Sequence, residues 1–277
     1  MCVLLNGMDV EEFFELFVIE LKHHPELQKY YKFLASPSRL AFRQAYFCQR
    51  LDYLHRHIGP THQQIWDCGS GFGTTGFFLA MNGYKVHGST LEFYINELEQ
   101  RRAYWARYGN AALFSWSYED IYSVDYHQQF DTIILQDTLH HLEPIDKAFH
   151  VFYRALKPDG QLLVIEENGS NIIQSLKLIR QRGFRKVKDI YDERLQKTIQ
   201  VGDENIRGVD RWTQIMERNR FTLDQDSLQY IRLLPPGSYH NAKSQQIFAK
   251  EQRLASRLGS LKNYLYFGIN FTARKKF

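Results

Sequence analysis

The sequence predicts an α/β protein: a doubly wound, mostly parallel sheet of seven strands with helices on both faces, a helical lid before it and an insertion after the fifth strand. Three observations carry this expectation. From Gln64 to Glu167 short apolar runs alternate with segments of helical period, the pattern of strands joined by crossover helices. Thr132-Ile133-Ile134-Leu135 is apolar without alternation, as a strand buried on both faces requires. Ile65-Trp66-Asp67-Cys68 runs through Gly69, Ser70, Gly71 and Gly73 into Thr74-Thr75-Gly76-Phe77-Phe78, a strand, tight loop and helix that bring backbone N–H groups close to a ligand.

Each element has its own justification. Val10, Phe13, Phe14, Phe17 and Leu21 recur at helical spacing, and a second helix starts at Ser36-Pro37, an N-cap followed by proline, and stops at Gly59-Pro60. These helices serve either as a lid over the glycine turn or as simple cover for one sheet face. Thr74 to Asn82 is helical and ends at Gly83; Tyr84 to Gly88 is the second strand, with Glu92 just past its end. A helix over about Glu92 to Tyr108 leads to a third strand in Ala112 to Trp116, and Phe130 to Gln136 is the fourth. Ile145, Ala148, Phe149, Phe152 and Leu156 mark a core-facing helix, and the turn Lys157-Pro158-Asp159-Gly160 opens the fifth strand, Gln161 to Glu167. Beyond it, Asn168 to Gly208 exceeds a plain connection and reads as a functional insertion or cap. Val209 to Arg218 and about Ala242 to Leu258 are helical, while Phe221 to Leu234 and Tyr264 to Thr272 hold the last two strands. The expected division is a lid (1–60), a ligand-binding core (61–167), a cap insertion (168–208) and completion of the core (209–277).

Composition narrows the class. Hydrophobic residues make up 44% and charged residues 24%, an ordinary globular balance. A formal charge of +4 gives nucleic acid little to recognise. Cys2, Cys48 and Cys68 are too few for a disulfide framework and lack metal-ligand spacing, so a reducing cytoplasm and no metal are expected. The acidic start is unlike a secretory signal, and no apolar run is long enough to span a bilayer. Aromatic residues reach 15%, enough to fill a core and also line an apolar pocket. The basic run Lys177, Arg180, Arg182, Arg185, Lys186 and Lys188 is either a solvated face or a surface for an anionic substrate, carrier protein or membrane headgroup. The sequence leaves the oligomeric state open.

Gly71-Phe72-Gly73-Thr74-Thr75-Gly76 fits a Rossmann-like dinucleotide fingerprint, with Glu92 near the place of a ribose-binding acid. Asp67 pulls away from that reading, because an acid facing the loop repels a pyrophosphate but receives an ammonium group. From here the sequence resembles the class I S-adenosylmethionine-dependent methyltransferases, in particular the small-molecule branch similar to the ubiquinone/menaquinone-biosynthesis enzymes. The resemblance rests on Asp67-Cys68-Gly69-Ser70-Gly71-Phe72-Gly73, Glu92, Phe130-Asp131 leading into Leu139-His140-His141-Leu142, and Leu156-Lys157-Pro158-Asp159-Gly160. It implies S-adenosylmethionine as cofactor, with Asp67, Cys68, Gly69, Ser70, Gly71 and Gly73 around its methionine part and Glu92 on the ribose hydroxyls. Leu135 and Gln136 approach from the other side, and Ser117 and Tyr118 border the adenine, where Glu119 or Asp120 could substitute for the family's usual acid.

The implied reaction is O- or C-methylation of a small or lipid-like acceptor. His140 is preferred over His141 as base or orienting group, although adjacent histidines after a strand can equally be satisfied fillers of space. Asp67 and Glu92 could likewise be caps. Glu166-Glu167-Asn168 either reaches the substrate or caps the next segment. Two rival readings stand beside this one: a nicotinamide-dependent oxidoreductase, and a methyltransferase-like binding module without turnover. Peripheral membrane contact is compatible with the sequence.

Overall fold

Successive residues of the central strands point into two different cores, and this alternation organises the molecule. The computed structural model describes residues 7–32, 34, 36–60, 63–239 and 244–276. Ile133 and Leu135 pack on one face with Trp66, Phe149, Phe152, Trp212 and Met216, while Ile134 packs on the other with Phe13, Phe17, Leu54, Phe77 and Trp105. Both faces must therefore be covered, and the helices divide accordingly.

The elements are α1 (Val10–His23), α2 (Pro25–Tyr31), α3 (Pro37–His57), β1 (Gln64–Cys68), α4 (Thr74–Met81), β2 (Lys85–Thr90), α5 (Leu98–Trp105), β3 (Phe114–Tyr118), β4 (Phe130–Gln136), α6 (Ile145–Ala155) and β5 (Leu156–Glu167). They continue as α7 (Ile172–Arg182), β6 (Val187–Asp192), β7 (Lys197–Gly202), α8 (Val209–Arg218), β8 (Phe221–Ile231), α9 (Ser244–Arg257), α10 (Lys262–Leu265) and β9 (Gly268–Lys275). The sheet has seven strands in the order β3-β2-β1-β4-β5-β9-β8. The first five are parallel and β9 is antiparallel to both β5 and β8. The order reverses beside β1, so the crevice at the carboxyl end of β1 is the switch point where ligands bind in such sheets. The seven-stranded Rossmann-like fold expected from the sequence is the one observed.

Several boundaries differ from expectation. α2 has too few residues for a periodic signal, yet Pro25 at its start and the His24 ring accepting the Leu27 N–H define it. The helix expected from Glu92 begins as a 3-10 segment, Phe93–Glu97. β3 starts at Phe114 because Ala111–Leu113 forms a 3-10 turn, and β9 starts at Gly268 because α10 occupies Lys262–Leu265. Ala242, expected to open α9, lies outside the described residues. The segment after β5 holds α7 and the two-stranded β6-β7 hairpin, which is tied to the rest of the chain where the Tyr118 hydroxyl donates to its Asp192 (2.6 Å) and its Arg194 donates to Asn96 (2.7 Å).

One buried ion pair ties the N-terminal helices to the glycine turn. Arg101 of α5 donates to both carboxylate oxygens of Glu20 on α1 (2.8 and 2.7 Å), to the Thr74 hydroxyl (2.8 Å) and to the Phe72 carbonyl. The Trp105 indole donates to the same Glu20 carboxylate at 3.1 Å. Removing one partner leaves an uncompensated buried charge, so Glu20→Ala should lower unfolding stability by about 3–5 kcal/mol in urea titrations. A loss below about 1 kcal/mol, the value of an exposed pair, would show that water reaches Arg101.

Candidate functional site

Asp67 is where the local sequence and the fold meet. As the fourth residue of β1 it points into the crevice, 2% exposed, and its Oδ2 atom has no hydrogen-bond partner in the chain. A buried carboxylate oxygen without a partner is costly unless a ligand supplies the donor. Burial pushes its pKa up to about 7 against a backbone hydrogen bond from Gly76 that pulls it down.

The loop after Asp67 is built by three glycines with positive φ: Gly69 (81°), Gly71 (51°) and Gly73 (68°). A Cβ on Gly69 would lie 2.3 Å from the Thr138 hydroxyl oxygen, whereas one on Gly71 would meet nothing within 4 Å. Gly69 keeps the loop against the end of β4, and Gly71 presents bare backbone to open space. The N–H groups of Gly69 and Ser70 both donate to the Ser89 carbonyl (2.8 and 3.0 Å), so they hold the loop to β2 and are not offered to a ligand. This corrects the simple picture of a loop whose amides all face a phosphate.

A cavity of about 700 Å³ opens over this loop. Of the residues singled out in the sequence, Asp67, Cys68, Gly69, Ser70, Gly71, Glu92, Gln136 and His141 line it. Glu92, just beyond β2, and Asp67 stand on the same wall system as the bare Gly71 backbone, which suits a ligand carrying both an ammonium and a diol. Gln136 also accepts from the Thr75 hydroxyl at 3.1 Å, which orients its amide.

Five of the expected residues are placed elsewhere. Leu135 is fully buried in the core opposite the crevice, because alternation along β4 sends Gln136 to the cavity and its predecessor away. Gly73 caps α4 in a left-handed conformation beneath Phe114. Ser117 is 3.1 Å from the His87 ring, and the Tyr118 hydroxyl donates to Asp192 of the hairpin, so neither lines the cavity. Glu119, the acid two positions after Ser117, does line it; it accepts from Tyr126 (2.6 Å), and its pKa is lowered because the His87, Tyr126 and Ser117 hydrogen bonds outweigh burial.

His140 is the fifth. Its Nδ1 is 2.6 Å from Glu166 Oε2, and Glu166 Oε1 accepts the backbone N–H groups of Thr138 (2.9 Å) and Leu139 (2.7 Å). Burial lowers the His140 pKa, but the Glu166 charge and hydrogen bond, with Asp137 and Glu204 nearby, raise it to about 9. At neutral pH this buried ring is a cation that braces the turn after β4. Glu166 therefore caps that turn and does not reach substrate. His141 faces the cavity; its Nδ1 lies 3.0 Å from the Gly202 carbonyl, which only accepts, so Nδ1 carries the proton and Nε2 is left as an acceptor. His140, His141 and Glu204 bring ligand-type atoms within 4.8 Å of one another, one metal-like group among the described residues.

Residues not singled out in the sequence complete the other half of the cavity: Tyr30, Tyr31, Arg43, Tyr46 and Arg50 from α2 and α3, Asp137 after β4, and Lys188, Ile190 and Glu204 from the hairpin segment. Arg50 pairs with Asp137 at 2.5 Å, which holds the Asp137 carboxyl below the usual range. Tyr46 lies between Arg50 and Arg232, with the two guanidinium carbons 4.9 and 4.7 Å from its ring centroid. Burial and the nearby charges of Arg232 and Arg50 lower the Arg43 pKa. The sequence signal for these groups was weak: their spacing on α3 follows the helix period and reads as an exposed charged face.

The seven-stranded fold is the one found in solved S-adenosylmethionine-dependent methyltransferases, and its switch-point crevice is where the sequence resemblance puts that cofactor. Residues 66–162 match the family model described as "Methyltransferase domain". Phosphoethanolamine N-methyltransferase of Triticum aestivum is 24% identical over 212 residues, 72% of this chain and 41% of the wheat protein. Phosphoethanolamine N-methyltransferase 2 of Haemonchus contortus, solved with S-adenosyl-L-methionine, superposes with a TM-score of 0.55 at 17% identity, covering 86% of this chain and 56% of that one. A SAM-dependent methyltransferase from Methanosarcina mazei gives 0.52 at 20% identity over 80% of this chain and 96% of its own. The [4+2]-cyclase SpnF gives 0.55 at 18% identity, over 84% and 82%. The chain thus spans about half the length of the two phosphoethanolamine methyltransferases it matches. None of these relatives places it in the ubiquinone/menaquinone branch.

The unpartnered Asp67 oxygen, the bare Gly71 backbone and Glu92 have the chemistry to receive the amino acid and ribose of S-adenosylmethionine. Because the folded-state pKa of Asp67 lies above its unfolded value near 3.8, ionising it in the empty protein costs stability that is present below that value and lost as pH rises through about 7. Asp67→Asn should therefore be more stable than the parent in urea at pH 8 and nearly equal to it at pH 4, yet bind S-adenosylmethionine roughly 10- to 100-fold more weakly by calorimetry. Parent affinity should rise from pH 6 to 8 and the variant's should stay flat. Equal pH profiles in the two proteins would remove Asp67 from the site.

Proposed function

We propose that this chain transfers the methyl group of S-adenosylmethionine to the nitrogen of a small amine that also carries an anionic group. The observation that carries the reading is the charge arrangement of the distal half of the cavity. Arg43, Arg50 and Lys188 stand on its wall with Tyr30 and Tyr46; Asp137 compensates Arg50 and Asp203 compensates Lys188 (2.8 Å), which leaves Arg43. An anionic group on the acceptor is attracted by the Arg43 guanidinium, which has no ion-pair partner among the described residues. Tyrosine faces favour the substituted ammonium of a methylated product. The named activities of the wheat and nematode relatives support nitrogen in place of the oxygen or carbon acceptor expected from the sequence.

When bound, S-adenosylmethionine supplies a methyl group already activated on a sulfonium. The protein's work is then alignment and proton removal. Asp67 and Glu92 hold the two ends of the cofactor, and the aromatic residues of α2 and α3 close the pocket against water. An amine attacks only through its lone pair, so it must shed a proton. His141 Nε2 accepts it, and the Gly202 carbonyl, bonded to Nδ1, keeps the ring in the accepting tautomer. Nitrogen–carbon bond formation and sulfur–carbon cleavage then leave the sulfur neutral and the proton on His141.

The nicotinamide reading places a pyrophosphate against the unpartnered Asp67 carboxylate, a repulsive arrangement. The binding-module reading is decided by turnover, since a cyclase shares the fold. Transfer of labelled methyl should occur to phosphoethanolamine and not to ethanolamine. Arg43→Ala should raise KM for the anionic amine roughly 10-fold with kcat little changed, the loss expected of one charge-assisted contact. His141→Ala should lower kcat by about 100-fold or more while cofactor binding holds. Label appearing only on hydroxyl or carbon acceptors, or equally on ethanolamine, would overturn the proposal.

A further inference from the structure

α7 is amphipathic in the wrong sense for a helix of a self-contained domain. Leu178 is its buried side chain, while Ile172, Ile173 and Leu176 are 55%, 65% and 63% exposed and Ile179 is 39% exposed. At 100° per residue these four form one stripe, with Leu178 on roughly the opposite side. Just past the helix, Phe184 is 85% exposed. The apolar surface does not end there. Asn171, the N-cap of α7, donates its side-chain amide to the Leu265 carbonyl at 2.9 Å, so the exposed Leu261, Tyr264 and Leu265 border the same end of the helix. Exposed apolar side chains gathered on one helix face in this way mark an interaction site.

Charge identifies the occupant. Lys177 borders the stripe and Arg180 falls between Leu176 and Ile173 on it, and Arg185 and Lys186 follow Phe184. Among the described residues none of these four is ion-paired, whereas Arg182 spends its guanidinium on the carbonyls of Gly183, Arg185 and Glu204. Aliphatic side chains rimmed by unpaired cations match a bilayer surface rich in anionic lipid, where the apolar face enters the headgroup boundary and the cations meet phosphates. A second copy fits worse, since a two-fold contact of this face with itself would juxtapose like charges. The helix leads directly into β6, whose Lys188 and Ile190 line the cavity.

We propose that α7, with Phe184, is a docking element that seats this protein on anionic membrane surfaces beside the mouth of its cavity. This goes beyond the methyl-transfer reading and does not depend on it. The experiment is co-sedimentation of the full chain with vesicles of phosphatidylcholine alone and of equal parts phosphatidylcholine and phosphatidylglycerol, without cofactor. The parent should sediment with the anionic vesicles only, and less so as salt is raised. Each unit of basic charge near such a surface is worth roughly fivefold in binding. Lys177→Glu with Arg180→Glu should therefore weaken it by at least roughly 30-fold, and Ile173→Asp with Leu176→Asp should abolish it. Unchanged S-adenosylmethionine binding and circular dichroism show that both variants are folded. Absence of binding to anionic vesicles, equal binding to neutral ones, or binding that survives both variants overturns the proposal. So does a parent dimer by light scattering that Ile173→Asp with Leu176→Asp renders monomeric while vesicles capture neither. Failure of methyl transfer with vesicle binding intact would count against the catalytic reading alone.

Discussion

The buried Arg101 side chain is the fixed point from which the site is assembled. Its guanidinium is fully enclosed and spends its donors on Glu20 of α1, on the Phe72 carbonyl within the glycine turn and on the Thr74 hydroxyl at the start of α4. The Thr74 hydroxyl in turn is 2.8 Å from the Tyr31 hydroxyl, and Tyr31 lines the cavity. One planar cation thus couples the N-terminal helices, the glycine turn and a wall of the cavity. The enclosure that makes the pair costly to break also makes it rigid, because a bidentate guanidinium–carboxylate contact tolerates little displacement.

Around that fixed point, charge is distributed with economy. One Asp67 oxygen is left without a partner in the crevice, while Glu166, no less buried, is saturated by two backbone amides and the His140 ring. Both are acids at the carboxyl ends of neighbouring or near-neighbouring strands, and only their hydrogen-bond inventories distinguish a ligand site from a structural brace. The same holds for the histidine pair: one ring is consumed by Glu166, and the other is held by a carbonyl and faces the cavity. The insertion after β5 contributes to both functions, since its hairpin supplies a wall of the cavity and its helix carries the outward apolar stripe.

Glu20 left a trace in the sequence, as a charge placed within the stripe of Phe13, Phe17 and Leu21 on α1, but nothing local named Arg101 eighty-one positions away as its partner. The exposed stripe of α7 was masked for a similar reason. Its apolar residues carry the same period as a core-facing helix, and periodicity does not say which side of the stripe the sheet occupies. The metal-like grouping of His140, His141 and Glu204 also arises only because the chain returns after the hairpin, with the Asn205 N–H donating to the His140 carbonyl.

Order of strands and helices, the glycine turn and the acids at the ends of β1 and β2 were legible from the sequence, because each depends on residues within one strand–loop–helix unit: hydrophobic period, left-handed glycine and strand-end acid. What the tertiary structure alone decided is which way individual side chains point and who meets them. Alternation placed Gln136 in the cavity and Leu135 out of it, Glu119 just past β3 lines the cavity where Ser117 and Tyr118 do not, and Glu166 turned His140 into a brace while leaving His141 exposed to the pocket. Those outcomes depend on contacts between segments far apart in the chain, and local periodicity does not encode such contacts.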